Sequence, residues 1–402
     1  MRYIFWIRRA SSLDHIAPVI YSLVKYSNIK VNNIIVSELY PSLSLKAIDK
    51  DKRLLFLKSL GVSIKCPKRK GIRYLFLFSI KPSNSIFLKL IRRILRLMIS
   101  PVINNTYKKQ IIKVANKYKN NCLFITDQGS NDIYQYLTRT AQNNNIKSVA
   151  LPHGLVLHQG NKNPIEHVIN FPVKKHFDHF DHIIMPNKIS NSFCNISKNK
   201  LEILGSARFC KEWVEQLCKI YPSPKELRNE NKLTVLLLAE KHGPKEAPWI
   251  YKKHIKKIVE YLNEHPSINL IIKYHPSMSK NDTYSAQNAT GIYSDEDYTT
   301  FQLTRVSDLI IATASSALLD VFVLGKDIMV PKFASPFKLI FDDYNNVVVE
   351  DFEILKHKIE KIVLNGIKIS PQINVEKLYN DIVCGDNENV LKSYSDYFNS
   401  FN

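Results

Sequence analysis

The sequence has few cysteines, and they are far apart. Its six cysteines, among 402 residues, form no C-x-x-C pair and have no histidine-rich tract beside them. Structural zinc sites and disulfide frameworks depend on closely spaced ligands or on regular cysteine spacings. We therefore expect neither of these, and we expect the protein to work in a reducing compartment.

Long apolar runs are also missing. The opening residues, MRYIFWIRRA, lack the apolar region and the cleavage site of a signal peptide. No uncharged apolar run reaches the roughly 18 to 20 residues that are needed to cross a bilayer. We expect a cytoplasmic protein, one that is peripheral at the inner face of the cytoplasmic membrane.

Several common catalytic motifs are absent. The chain contains no Walker A sequence, no G-x-G-x-x-G, no H-E-x-x-H and no G-x-S-x-G. These motifs are typical of P-loop kinases, dinucleotide-dependent dehydrogenases, zinc proteases and α/β-hydrolases. The sequence therefore gives no support to those four classes.

Acidic residues are outnumbered. Lys and Arg total 57 against 36 Asp and Glu, which gives a net charge of +21. Such a charge attracts phosphates, nucleic acid, anionic lipid or acidic sugars. Nucleic-acid binding is one alternative, but the chain lacks an aromatic-interleaved basic motif or a zinc module.

Short apolar runs alternate with helix-like segments along the chain, which is typical of doubly wound parallel sheets. The predicted strands are 2–7, 31–36, 122–126, 148–152 and 182–186 in a first block, and 201–205, 233–240, 269–276, 307–313, 327–331 and 346–351 in a second. The length suits two domains. We predict two tandem Rossmann-like α/β domains with a cleft between them: 1–187, a linker over 188–230, 231–370, and a helical tail over 371–402 that packs back.

A basic and apolar insert over 65–100 interrupts the first block. From Ile86 onward, one helical face contains Phe87, Leu90, Ile91, Ile94, Leu95 and Met98. The basic residues largely on the other face are Lys89, Arg92, Arg93 and Arg96. A basic amphipathic helix is a candidate for binding a membrane surface or an anionic acceptor. The alternative is an ordinary domain helix with a solvated basic face.

Two polar residues follow neighbouring strands of the first block. Asp127 ends FITD, and His153 follows VALP, with a glycine close behind each. Ligands of parallel sheets bind at the carboxyl ends of strands. Asp127 could act there as a general base or a nucleophile, and His153 as a general base. Alternatively, Asp127 caps the following helix and His153 is an ordinary loop histidine.

The second block has comparable residues at its strand ends. Glu240 follows LLLA and is suited to accept hydrogen bonds from a sugar or ribose hydroxyl. His275 follows IIKY, and Pro276 restricts the backbone so that the imidazole points out of the sheet. By contrast, His265 follows a charged helix, and we predict that it only ends that helix.

Small hydroxylated residues follow the next strand. Thr313, Ser315 and Ser316 lie between a strand and a helix, where hydroxyls and free N–H groups form a phosphate site. Plain N-capping by serine is the alternative. Arg208, in LGSARFCKEW, could reach a phosphate or could tie the interdomain linker.

KYHPS, followed about 40 residues later by SDLIIATASSALLDVFVLGKDIMVP, resembles the nucleotide-binding half of GT-B glycosyltransferases that build bacterial surface polysaccharides. An HP motif with a later SS motif recurs in CMP-sialic acid transferases and polysialyltransferases. Related patterns occur in capsule-type Kdo transferases and CDP-glycerol glycerophosphotransferases. The resemblance implies that His275 and Pro276 contact CMP, and that Ser315 and Ser316 hold phosphate.

The first block adds two further similarities. ALPHG is similar to the His-Gly turn of the glycerophosphotransferases, which implies that His153 is the base. Asp127 matches the aspartate nucleophile of retaining Kdo transferases. The D/E-D/E-G motif of many sialyltransferases is missing, which leaves Kdo, another CMP-activated sugar acid and CDP-glycerol open.

The resemblance implies a GT-B glycosyltransferase that moves a CMP-activated sugar acid, such as Kdo or a sialic acid, to a surface polysaccharide or lipid-linked glycan. A helix N-terminus with hydroxyls stabilises a departing phosphate without a metal, so we expect neither a metal nor a cofactor beyond the donor. The expected partners are the donor, the acceptor and an anionic membrane. The alternatives are a CDP-glycerol-type transferase, a non-catalytic GT-B-like scaffold and a nucleotide-sugar epimerase.

Overall fold

The computed structural model describes most of the chain. The described residues are 1–7, 10–38, 50–65, 85–118, 121–127, 132–152, 179–188, 197–239, 248–274, 289, 291–293, 297–312, 317–334, 347–365, 379–384 and 387–402. The chain divides into two compact units. The first contains Met1–Gly154, Pro172–Trp213 and Asp381–Asn402, and the second is built mainly from Val214–Asn380.

The first unit contains a seven-stranded parallel sheet. Its strands are β1 Arg2–Ile7, β2 Ile34–Glu38, β3 Ser63–Lys65, β4 Cys122–Asp127, β5 Lys147–Leu151, β6 His182–Met185 and β7 Leu201–Ile203. Their order is β3-β2-β1-β4-β5-β6-β7, and every neighbouring pair is parallel.

The second unit contains a six-stranded parallel sheet. Its strands are β8 Leu233–Ala239, β9 Ile268–Tyr274, β10 Gly291–Tyr293, β11 Leu309–Ala312, β12 Asp327–Pro331 and β13 Val348–Val349. Their order is β10-β9-β8-β11-β12-β13. β8 and β9 are mainly apolar and their residues are almost all buried, as expected of strands covered on both faces.

Helices connect and cover the strands. The described α-helices are α1 Leu13–Tyr26, α2 Lys52–Ser59, α3 Ile86–Tyr118, α4 Asp132–Gln142, α5 Lys211–Ile220, α6 Pro248–Glu264, α7 Thr300–Val306, α8 Leu318–Val323, α9 Phe352–Asn365 and α10 Val390–Asn399. No helix within the described residues has both the length and the apolar character to cross a bilayer.

Alternation along β1 explains how the first sheet is buried on both faces. Ile4 and Trp6 pack into one apolar cluster with α3 and α4. Tyr3 and Phe5 point to the opposite face, where both rings meet Phe398 of α10. Successive side chains of a strand alternate between faces, so one six-residue run supplies two cores.

The end of the chain packs against the first unit. The Tyr3 hydroxyl donates to the Phe398 carbonyl at 3.0 Å, and the Tyr394 hydroxyl donates to the Gly205 carbonyl at 3.0 Å. Gly205 has a φ of +86°, and a Cβ there would lie 2.7 Å from the Cys384 carbonyl oxygen. Only glycine fits such a close approach with a positive φ.

Three strands differ from the sequence-based expectations. The run 201–205 was expected to open the second block, but its strand, β7, pairs with β6 at the edge of the first sheet; that expectation is wrong, because sheet membership of a three-residue strand depends on tertiary pairing. The patterns also miss β3 and β10, which are three-residue strands at sheet edges.

Candidate functional site

The first sheet has a topological switch point between β1 and β4. From β1 the order runs to β2 and β3 on one side, and to β4 and the later strands on the other. In open parallel sheets, ligands bind outside the carboxyl ends of the strands at such a point. Asp127 is the last residue of β4, one position beyond the Trp6–Thr126 register pair. The structure therefore places this predicted residue at the expected edge.

Asp127 is a buried carboxylate. It is 2% exposed. The Thr126 hydroxyl lies 3.5 Å from Asp127 Oδ1 and 3.3 Å from the Trp6 carbonyl oxygen, and its single proton can be donated to only one of them at a time. A buried carboxylate interacts more strongly with neighbouring polar groups than an exposed one does, because less water screens its charge. The position is chemically suited to a general base or a nucleophile.

The second sheet has its own switch point between β8 and β11. Ala239 of β8 is in register with Tyr274 of β9, and Ala312 of β11 is in register with Leu238 of β8. Neighbouring strands lie about 4.8 Å apart, so the ends of β9 and β11 are separated by roughly 10 Å. Three strands therefore end side by side at the edge where a ligand is expected.

Three of the predicted site residues come directly after the ends of these strands. Glu240, His275 and Thr313 directly follow Ala239, Tyr274 and Ala312. The residues that lie outside the described part of the chain are His153, Glu240, His275, Pro276, Thr313, Ser315 and Ser316. Their functional assignments stay predictions, while the strand ends that precede them are in place.

Arg208 lies in an ion-pair network of the first unit. Its Nη1 is 3.7 Å from Asp14 Oδ2, and its guanidinium lies 4.6 Å from the centre of the Phe209 ring. Asp14, in the first turn of α1, also binds Arg53, which in turn pairs with Asp51 at 2.7 Å. A carboxylate in a first helical turn is favoured by the helix dipole. The geometry gives Arg208 a protein partner, and its role toward a donor phosphate stays a prediction.

Sequence reasoning missed two buried charged residues of the second unit. Lys273 on β9 and Asp320 on α8 are 3% and 2% exposed. Lys273 is two residues before His275, and Asp320 lies in the helix that follows the serines. The sequence signal that could have identified them is a charged residue within an otherwise apolar segment.

The predicted basic residues of α3 do not share one environment. Lys89 and Arg93 are exposed, whereas Arg92 is buried, and the side chain of Arg96 lies outside the described part. The prediction that Arg92 belongs to the outer basic face is wrong. Arg92 lies three and seven positions before Leu95 and Ile99, which face the core, so helical spacing turns it inward.

Histidines and cysteines of the described ranges do not form a metal-binding group. His265 has a structural position. Its Nδ1 accepts from the Ser267 backbone N–H at 3.2 Å, and its Nε2 is 3.3 Å from the Glu360 carboxylate. This geometry agrees with the prediction that His265 ends α6.

No protein-family model matches this chain, and no curated protein matches it in sequence. Solved structures are similar over nearly the full length. S. aureus MnaA, solved with UDP, has a TM-score of 0.58 at 10% identity, covering 100% of this chain and 98% of that one. UDP-GlcNAc 2-epimerase from Neisseria meningitidis, bound to UDP-GlcNAc, has a TM-score of 0.57 at 12% identity, covering 100% and 99%.

A glycotransferase of kitacinnamycin is also similar, with a TM-score of 0.50 at 8% identity, covering 99% of this chain and 98% of that one. At such low identity these likenesses concern the fold. Together with the two parallel sheets they confirm the predicted GT-B architecture of two Rossmann-like domains.

Proposed function

We propose that the protein is a glycosyltransferase that moves a sugar from a nucleotide-activated donor to a glycan or lipid-linked glycan. The observation that supports this most directly is the alignment of β8, β9 and β11 at one sheet edge. Each of these strands is followed at once by a residue chosen from sequence as a donor ligand: Glu240, His275 or Thr313.

The second unit would bind the phosphate of the nucleotide donor. Ser315 and Ser316 supply hydroxyls, and the backbone N–H groups at the start of a helix favour negative charge. The same groups stabilise the phosphate as the bond to the sugar breaks, because negative charge then develops on the departing oxygen. His275 orients the nucleoside.

The first unit would supply the general base or the nucleophile of the transfer reaction. If the configuration inverts, Asp127 or His153 removes the proton of the attacking acceptor hydroxyl. If it is retained through two displacements, Asp127 forms the bond to the anomeric carbon, and the acceptor then displaces it. Asp127 suits either role because it is a buried carboxylate at a strand end.

For the donor we propose a cytidine-linked sugar acid, of the Kdo or sialic acid type. The support is the HP and SS motif pair, at 275–276 and 315–316, which resembles that of CMP-sugar transferases. The alternative is a CDP-glycerol donor, supported by the His-Gly pair at 153–154, which resembles the His-Gly turn of the glycerophosphotransferases. Two of the similar structures contain UDP or UDP-GlcNAc, so uridine donors belong in any test.

A nucleotide-sugar epimerase is the second candidate. The observation in its favour is that the UDP-GlcNAc 2-epimerase from Neisseria meningitidis has a higher TM-score, 0.57, than the glycotransferase of kitacinnamycin, 0.50. An epimerase differs from a transferase in needing no acceptor. A non-catalytic scaffold would bind the nucleotide tightly without any turnover.

Mass spectrometry of the purified protein with CMP-, CDP- and UDP-linked donors distinguishes these candidates. A transferase releases nucleotide faster when acceptor is added, and it extends the acceptor by one sugar or one glycerol phosphate. An epimerase forms an isomer of the donor without acceptor. Full transfer by both His275→Ala and Ser315→Ala would overturn the site assignment, and absence of any turnover with every donor would overturn the transferase.

A further inference from the structure

The first half of α3 exposes an unusual amount of apolar surface. Of eleven exposed large apolar side chains in the described residues, eight lie between positions 86 and 102. They are Ile86, Phe87, Leu88, Leu90, Ile94, Leu97, Met98 and Val102. Ile86 is 84% exposed, and Leu97 and Met98 are each 68% exposed. Contiguous exposed apolar surface of this kind marks an interaction site.

Six of these side chains form one stripe, which we call the outer stripe of α3: Ile86, Phe87, Leu90, Ile94, Leu97 and Met98. Ile86, Leu90, Ile94 and Met98 follow one another at intervals of four residues, which keeps them on the same side of a helix. On the opposite side, Leu95 and Ile99 pack into the cluster that contains Trp6. The helix therefore has apolar residues both toward the core and toward solvent.

Basic side chains flank the outer stripe. Lys89 and Arg93 are exposed, and Arg93 lies three residues after Leu90 and four before Leu97. Acidic residues are absent from the sequence around them. Positions 52 through 126 contain 18 Lys and Arg and not one Asp or Glu. The segment that contains the outer stripe therefore carries charge of one sign only, with no acidic side chain of its own to neutralise it.

We infer that the outer stripe of α3 rests on an anionic phospholipid surface. The apolar side chains would enter the boundary between headgroups and acyl chains, and Lys89 and Arg93 would meet lipid phosphates. The helix lies along the surface, because Lys89, Arg92 and Arg93 within a few residues of one another make a buried, membrane-crossing position costly. The inference is independent of the function proposed above.

Charge also argues against a second copy of this chain as the occupant. In a two-fold symmetric dimer the same patch faces itself, so Lys89 and Arg93 of one copy would meet those of the other. The absence of acidic residues over 52–126 leaves such a contact without ion pairs from this segment. An anionic bilayer satisfies the apolar stripe and the charge together.

Vesicle co-sedimentation of the full chain tests the inference. The protein is expected to bind vesicles of phosphatidylglycerol and phosphatidylcholine, not vesicles of phosphatidylcholine alone, and to be released by salt. Lys89→Gln with Arg93→Gln should weaken binding about fivefold for each charge removed. Leu97→Gln with Met98→Gln should weaken it by at least about tenfold.

Matched controls come from α9. Lys361 and Leu364 are also exposed and three residues apart, so Lys361→Gln and Leu364→Gln make comparable changes on another helix. Both controls should bind vesicles as the unchanged protein does. Unchanged thermal unfolding would verify that the α3 variants are folded.

Two outcomes would overturn the inference. One is equal vesicle binding by the α3 double variants and the α9 controls. The other is a dimer in analytical ultracentrifugation that dissociates in the Leu97→Gln, Met98→Gln variant, with no binding of the unchanged protein to either kind of vesicle.

Discussion

Asp127 and Leu151 are register partners at the carboxyl ends of β4 and β5. The pairing places the end of β5, which His153 follows two residues later, beside the buried carboxylate. The sequence suggested that Asp127 and His153 follow neighbouring strands, and the sheet order agrees with that. Asp127 is thus the site residue whose chemistry can be tested first.

Replacing the Asp127 carboxylate should abolish most turnover while leaving nucleotide binding intact. Asp127→Asn keeps the size of the side chain and removes its basicity. Loss of a general base or nucleophile should lower kcat by about 10²- to 10⁴-fold. Calorimetric titration with the donor nucleotide should give an unchanged Kd. Equal kcat for the variant and the unchanged enzyme would exclude Asp127 from the reaction.

Gly205→Ala should destabilise the first unit more than Gly325→Ala destabilises the second. Both glycines have positive φ, +86° and +62°, which costs an alanine about 1–2 kcal/mol. A Cβ at Gly205 would also approach Val390 Cγ2 to 2.7 Å, whereas Gly325 has open space. The clash should add about 1–3 kcal/mol. Denaturant unfolding of both variants checks this, and equal midpoint shifts would contradict it.

Asp181→Ala should destabilise the junction of β5 and β6. The Asp181 carboxylate accepts from the Ser148 backbone N–H at 2.7 Å and from its hydroxyl at 2.8 Å. Ser148 is fully buried, so its donors would lose their partner at a cost of about 1–3 kcal/mol. Asp396→Ala, which removes an exposed pair with Lys392, is the control and should cost under about 1 kcal/mol. A similar cost for both variants would argue against a buried role for Asp181.

Stability should fall in mild acid through His182. Burial beside the Tyr397 and Phe401 rings lowers the pKa of His182 from its usual 6.5, and the nearby Asp181 raises that pKa by less. The unfolded chain then binds a proton more readily than the folded one. Above pH 6.5 the His182 imidazole is largely neutral in both states, so it does not reduce the free energy of unfolding. As the pH falls from 6.5 toward the folded pKa, the unfolded chain is protonated first and the free energy of unfolding decreases. Urea unfolding across this range should show a shallower pH dependence for His182→Gln, and identical profiles would contradict the assignment.

The long buried strands could be predicted because their sequences match their environment. β1 and β12 occupy the predicted residues 2–7 and 327–331, and β8 differs by one residue. Continuous apolar runs fit only strands that are covered on both faces. β3 and β10 were missed because an edge strand of three residues needs no such run. α3 continues through Pro101, where a sequence pattern would stop a helix.

The site could be predicted in part, since residues at strand ends are recognisable from sequence. Asp127 lies at the end of β4 as expected. The orientation of α3 could not be predicted. Helical periodicity shows that the helix has an apolar stripe, but it does not show whether that stripe faces the protein core or solvent. Leu95 faces the core, whereas Leu90 and Met98 face solvent. The burial of Lys273 likewise depends on contacts that a single sequence does not contain.

Hydrogen exchange with and without CMP, CDP and UDP tests most directly whether the second sheet holds a nucleotide. Peptides that span the ends of β8, β9 and β11, after Ala239, Tyr274 and Ala312, should exchange more slowly when the preferred nucleotide is bound. The opposite edge of the same sheet, where Leu233, Ile268 and Leu309 begin their strands, should be unaffected. Protection confined to other segments, or no protection by any nucleotide, would contradict the account.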